Sequence, residues 1–133
     1  MTTAPRIRSA TLYAVDLTLA EPFEHAYSGV IDTLNELVLK VESDDGCVGW
    51  GEMRGNNHYA TGDSPGSLAA VLRDLILPRL PGRDATWPRR MADFVAHLLV
   101  GNTTAKALVD IAMHDLVARR VRHAGMAQAA APR

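Results

Sequence analysis

The spacing of apolar residues changes once along this chain, and that change fixes most of what it can fold into. Up to about residue 53 apolar side chains recur at alternate positions, whereas from Ser64 onward they recur every three to four. The first spacing belongs to strands with one covered face, the second to helices carrying an apolar stripe. Strands come first and helices after them. The expected fold is therefore α+β: a three-stranded antiparallel meander followed by a three-helix bundle.

Within the strand half, Ile7, Thr11, Tyr13, Val15, Leu17 and Leu19 alternate, so a first strand is expected over residues 6–19 with that set on its buried face. Glu21-Pro22 should end it, because proline has no N–H for a ladder. Residues 20–33 then read as a long loop carrying Phe23, His25, Tyr27, Ser28 and Gly29. Loops of that length inside compact domains are often functional. Leu37, Leu39 and Val41 mark a second strand, Ser43-Asp44-Asp45-Gly46 a tight turn, and residues 47–53 a third strand. Gly49 and Gly51 share one face of that third strand, a bare strip against which another backbone or side chain can come close. A second polar loop, residues 54–63, holds Arg54, Asn56, Asn57, His58 and Tyr59.

The helical half opens at Ser64-Pro65, a capping hydroxyl followed by proline at the first helical position. Leu68, Val71, Leu72, Leu75 and Ile76 form its stripe, and Pro78, Pro81 and Gly82 close it. Thr86-Trp87-Pro88 begins a second helix with Met91, Phe94, Val95, Leu98 and Leu99 on one side, and Gly101-Asn102 stops it. A third helix, from Asn102 or Thr103 to about Arg119, is apolar round most of its circumference, with only Lys106, Asp110 and His114 in a polar row. A helix of that kind is normally covered on several sides. One small sheet and two short helices are expected to leave part of it open for a partner. Residues 121–133 are small and polar and are expected to be a disordered tail.

At 133 residues the chain fits one domain, and a formal net charge of -1 disfavours a dedicated nucleic-acid partner. No apolar run reaches the roughly 20 residues of a membrane span. Cys47 is the only cysteine, which rules out an internal disulfide and, with no apolar signal core behind Met1, points to the cytoplasm. No phosphate-binding loop, metalloprotease motif or serine-nucleophile motif is present, and the five histidines are scattered without metal-ligand spacing. No catalytic residue and no metal ligand is therefore assigned within the chain. Four features carry two readings each. Glu52 is either a carboxylate at a site mouth or an anchor for the loop after it. His58 and Tyr59 either contact a polar ligand or sit on an exposed loop. Phe23, His25 and Tyr27 either line a pocket, or Phe23 plugs the core. Asp115, on the inward side of the third helix, is either catalytic or caps a backbone and pairs with an arginine.

The order of these pieces resembles the N-terminal capping domain of the enolase superfamily, in its mandelate racemase / muconate lactonising branch. The resemblance rests on Pro22-Phe23 after the first strand, Leu37-Val38-Leu39-Lys40-Val41 running into Asp44-Asp45-Gly46, and Val48-Gly49-Trp50-Gly51-Glu52. It continues through Thr61-Gly62-Asp63-Ser64, Leu80-Pro81-Gly82-Arg83-Asp84 and the helix AKALVDIAMHDL, where His114 replaces a common tryptophan. What it implies is a cap over residues 1–120 that closes on a (β/α)₈ barrel and selects a small carboxylate substrate. In such enzymes a proton is abstracted α to the carboxylate, and Mg²⁺ on the barrel stabilises the enediolate. The barrel, its lysines and its metal ligands are expected to be absent from this chain, which should hold no cofactor and be inactive alone. Carried over position by position, the substrate-binding candidates are Phe23, His25, Tyr27 and Ser28 in the first loop and Arg54, Asn57, His58 and Tyr59 in the second. The expected partners are a second copy of the chain or a separate barrel chain, with neither nucleic acid nor membrane. A stand-alone binding or assembly module that keeps the cap fold without catalysis is the other reading.

Overall fold

The computed structural model describes residues 3–129. β1 (Ile7–His25), β2 (Gly29–Ser43) and β3 (Val48–Arg54) form one antiparallel sheet in the order β1-β2-β3. Helices follow: the single turn α1 (His58–Thr61), then α2 (Pro65–Val71), α3 (Pro88–Leu98) and α4 (Thr103–Ala129). The expected meander and helical half are both present. Ser64 caps α2 reciprocally: its Oγ accepts the Ser67 N–H at 3.1 Å, while Ser67 Oγ accepts the Ser64 N–H at 2.9 Å.

The core lies between one face of the sheet and the helices. Leu37, Leu39 and Val41 of β2 point into it and meet Leu72, Ile76, Leu108, Met113 and Leu116. Burial of each such side chain contributes about 1.5–3 kcal/mol. The closest approach is that of α4 to β3. A Cβ on Gly49 would stand 2.5 Å from Leu116 Cβ and 2.6 Å from Leu116 N, and one on Gly51 would stand 2.8 Å from Leu108 O. The glycine strip lets helix backbone rest directly on strand backbone, as the spacing predicts.

Several expectations are corrected. β1 does not stop at Pro22 but runs to His25, and most of residues 20–33 form the far end of a β1–β2 hairpin rather than a loop. Pairing passes from Thr18↔Thr33 to Phe23↔Ile31, so residues 19–22 bulge opposite the single residue Asp32. Pro22 sits in that bulge on an edge strand, where its missing N–H leaves no ladder bond unmade. A second irregularity, between Ile7 and Ser9, inverts the face of β1. Ile7 is buried as expected, but beyond it Ala10 and Leu12 turn to the core, and Tyr13 and Leu17 are left 44% and 46% exposed on the open face of the sheet.

α2 does not keep its stripe. It widens into a π turn (Leu72–Ile76) and tightens into a 3₁₀ turn (Leu77–Arg79), which moves Leu75 outward and brings Leu77 in. The second loop contains α1. α4 is helical through residues expected to be a disordered tail, up to Ala129; residues 130–133 lie outside the described ones. Its apolar surface is also better covered than expected. Ala105, Leu108, Val109, Ala112, Met113 and Leu116 are all buried by the domain itself, leaving a narrower exposed stripe through Ala107, Ile111, Ala118 and Val121.

Candidate functional site

The hairpin end and the α1 segment meet at one end of the molecule, beyond the core. Chain reversal at the hairpin end takes place over residues 26–28, with the Ser28 N–H donating to His25 O at 3.2 Å and Gly29 at φ 68°. Glycine suits that positive φ because it has no Cβ to clash. His25 and Gly29 pair across the hairpin, so the His25 ring stands on the helix-side face, where Tyr59 of α1 meets it. The two ring centroids are 4.2 Å apart at 35°. Tyr27 lies 6.1 Å from His25, and His58 stands edge-on to Tyr59 at 6.1 Å. Four sequence candidates from two separate segments thus form one aromatic and imidazole cluster.

The other candidates are placed less directly. Tyr27 is 82% exposed and Phe23 43%, so Phe23 pairs with Ile31 across the hairpin but does not plug the domain core. The Ser28 hydroxyl is buried and has no partner among the described residues. Asn57 precedes α1, its carbonyl accepting the Ala60 and Thr61 N–H groups at 3.0 and 3.1 Å. Arg54, at the end of β3, is half-buried, and its Nε donates to Asn56 Oδ1 at 2.9 Å. A shallow cleft of about 280 Å³ runs between the two segments, with Ser28, Ile31, Asn35, Asn56 and His58 on its walls.

Sequence reasoning did not single out the groups that tie these segments together. Asn56 Nδ2 donates to Thr33 O at 3.1 Å, and the Gly55 N–H donates to Asn35 O at 2.7 Å. Asn35 Nδ2 in turn reaches Asp16 Oδ1 at 2.7 Å. Glu36, buried beside them on β2, is paired in register with Arg54. Burial raises its carboxyl pKa above the ordinary value, repulsion from Glu52 adds to the rise, and Arg54 opposes it. A charged residue alternating with Leu37 and Leu39 was the visible signal for Glu36. Nothing in the sequence distinguished Asn56 from Asn57.

Asp115 and Asp45 have structural partners. Asp115 Oδ2 accepts the Trp50 N–H and Arg119 Nε, both at 2.8 Å, which is the capping and pairing role rather than a catalytic one. Asp45 is held by Arg120, whose Nε lies 2.6 Å from its carboxylate and which also donates to Ala85 O and Ser43 Oγ. Those bonds hold the Asp45 carboxyl well below the usual carboxylate range. Glu52 is exposed on the open face of the sheet. A groove of about 610 Å³ lies elsewhere, along the outer edge of β1 against Ala69, Leu77 and Pro78. Arg8 and Arg73 are its charged walls, and no carboxylate, histidine or cysteine lines it. Among the described residues no three His, Cys, Asp or Glu side chains converge as a metal site.

Comparison with known proteins gives a consistent answer. Residues 7–127 match the family described as mandelate racemase / muconate lactonizing enzyme, N-terminal domain. The chain is 31% identical over 116 residues to the N-succinyl-L-Arg/Lys racemase of Bacillus cereus, covering 87% of this chain and 31% of that protein. The crystal structure of that racemase superposes with a TM-score of 0.82. It is also 32% identical over 101 residues to the L-Ala-D/L-Glu epimerase of Bacillus subtilis, covering 76% of this chain and 27% of the epimerase; the substrate-liganded structure gives a TM-score of 0.78. An enolase-superfamily member from Roseovarius nubinhibens complexed with magnesium matches at 27% identity and a TM-score of 0.77, covering 89% of this chain and 31% of that one. The chain thus spans about a third of the length of the proteins it matches.

Proposed function

Because this chain belongs to the mandelate racemase / muconate lactonizing enzyme N-terminal domain family, we infer that it is the substrate-selecting cap of an enzyme that removes a proton α to a carboxylate. The observation that carries the reading is the junction of His25 and Tyr59, which joins two chain segments into one surface. The similarity to racemases and epimerases supplies the reaction class. On this reading His25, Tyr27 and Tyr59 give a flat, mostly neutral wall against which the variable part of a small carboxylate packs, while Phe23 extends its apolar side. Ser28, Asn57 and His58 offer hydrogen bonds, and Arg54 contributes positive charge from behind Asn56.

The chemistry itself would reside in the remaining two-thirds of such a protein, on a barrel domain in the same polypeptide or on a separate chain. Mg²⁺ would polarise the substrate carboxylate there. The described residues do not form a metal centre, so no step is assigned to a metal on this domain. Its contribution is exclusion of water and choice of substrate, which act by favouring one bound geometry over others.

The test is α-proton exchange in D₂O, followed by NMR, on N-succinyl amino acids, dipeptides and muconate. It is run with this chain alone and with this chain joined to the part of the B. cereus racemase that it does not match. The chain alone should give no exchange with or without Mg²⁺. In the joined protein, Tyr27→Ala and Tyr59→Ala should shift the kcat/KM ratio between substrates by about tenfold, the scale of one lost side-chain contact. Metal-dependent exchange by the chain alone, or a substrate choice indifferent to both tyrosines, would overturn the reading.

A further inference from the structure

We propose that Asn56 is the positioning residue that makes the hairpin end and the α1 segment a single unit instead of two independent loops. Its amide stands where the two segments diverge. Nδ2 donates to Thr33 O at 3.1 Å, which is the last β2 position paired with β1 before the bulge. Oδ1 accepts Arg54 Nε at 2.9 Å and, more weakly, the Asn35 N–H at 3.4 Å. The partners fix the orientation of the amide, because turning it over would set oxygen against the Thr33 carbonyl and nitrogen against the Arg54 donor. One short planar group thus holds the hairpin by its donor and the end of β3 by its acceptor. Asp at this position could only accept when ionised, and Ala could do neither.

The backbone repeats the tie one residue away, where the Gly55 N–H donates to Asn35 O at 2.7 Å, and Gly55 is itself buried. A Cβ on Gly55 would stand 3.1 Å from Asn35 O, so this tie depends on close approach. Beyond these bonds the only ring contact between the two segments is that of His25 with Tyr59. Rings 4.2 Å apart keep that distance only if the segments that carry them, β1 and α1, keep theirs. Asn56 therefore acts on the aromatic cluster without touching it, and through the cluster on selectivity. That last step rests on the cap reading above, whereas the coupling of the two segments does not.

The experiment uses the chain itself and no substrate, so that its failure is distinct from failure of the proposed reaction. Ring–ring NOEs and amide hydrogen exchange are measured on the unaltered chain, N56A and the near-isosteric N56D. In the unaltered chain a His25–Tyr59 cross-peak is expected, with amides of residues 24–31 and 58–62 exchanging at similar rates. In both variants the cross-peak should vanish and hairpin-end exchange should accelerate about tenfold, a local opening that leaves Leu39 and Met113 as protected as before. Should N56A fail to fold, N56D decides, since it keeps the size of the side chain and loses the donor to Thr33. Persistence of the cross-peak with matched exchange rates in N56D would overturn the proposal. So would an equal rise in exchange at Leu39 and Met113, which is the mark of a merely structural residue.

Discussion

The contact of β3 with α4 and the contact of the hairpin end with α1 are built from opposite materials. In the first, Gly49 and Gly51 put no side chain of the strand between it and the helix, and buried Leu108, Ala112 and Leu116 of α4 come up against them. In the second, half-exposed rings and amide hydrogen bonds hold two segments across a shallow cleft. Close packing has one good arrangement and resists change. Polar and ring contacts at a surface are individually weak and can be remade around a different ligand. The same chain thus keeps its close-packed scaffold and its polar, half-exposed surface apart, and substitutions should distinguish the two sharply.

The largest effect should come from Gly49→Ala. The new methyl would overlap Leu116, and neither backbone can retreat without disturbing the sheet, so a loss of about 3 kcal/mol or more in urea unfolding is expected, at the upper end of overpacking costs. A loss under about 1 kcal/mol would mean that the seam is not close-packed and would erase the contrast.

Next in size is Arg120→Ala, which removes the brace from α4 to the β2–β3 turn and should cost roughly 1.5–3 kcal/mol, the range of charge-assisted hydrogen bonds. It carries a pH signature. The Asp45 carboxyl is depressed in the folded state, so its contribution is fully present above the unfolded carboxylate pKa of about 4 and is lost as pH falls below it. The urea midpoint of the unaltered chain should therefore drop more steeply on acidification than that of the variant. Parallel profiles would show that Asp45 gains nothing from its partner.

The smallest effects belong to the hairpin end. His25→Ala and Tyr59→Ala should each cost less than about 1.5 kcal/mol, and the double variant should reveal a coupling of about 0.5–1.5 kcal/mol between the rings. Additive losses would show that the rings are neighbours without interaction. Losses as large as that at Gly49 would put the hairpin end in the core and end the distinction.

Much of the scaffold was legible because it obeys one period at a time. Leu37, Leu39 and Val41 alternate without interruption and pair in register with Met53, Gly51 and Gly49, and the glycine strip signals the close approach of another segment, which is α4. What was hidden lies where a residue is added to or taken from the pattern. The irregularity at Arg8 reverses the face of β1 from Ser9 to Thr18, so Tyr13 and Leu17, which alternate faultlessly, mark the open side instead of the core. The π turn does the same to Leu75. Pro22 reads as a strand end in sequence, because the sequence does not show that β1 is an edge. At the candidate site, His25, Tyr27, His58 and Tyr59 are residue types with evident chemistry and they stand together, whereas the hydrogen bonds of Asn56 depend on where its neighbours lie, which the sequence does not show.

The bulge over residues 19–22 gives the hairpin a joint, and the joint gives it leverage. Strands rise about 3.3 Å per residue, so the turn at Gly29 stands roughly 13 Å beyond Thr33, the last rung below the joint. A tilt of about 15° there would carry the end through roughly 3.5 Å, the width of a methyl group or a water molecule. Asn56 binds Thr33 beside that joint, so a displacement too small to break one hydrogen bond is magnified at the hairpin end. An arm of this kind could be retuned by altering its fulcrum, with His25 and Tyr27 at its end left as they are.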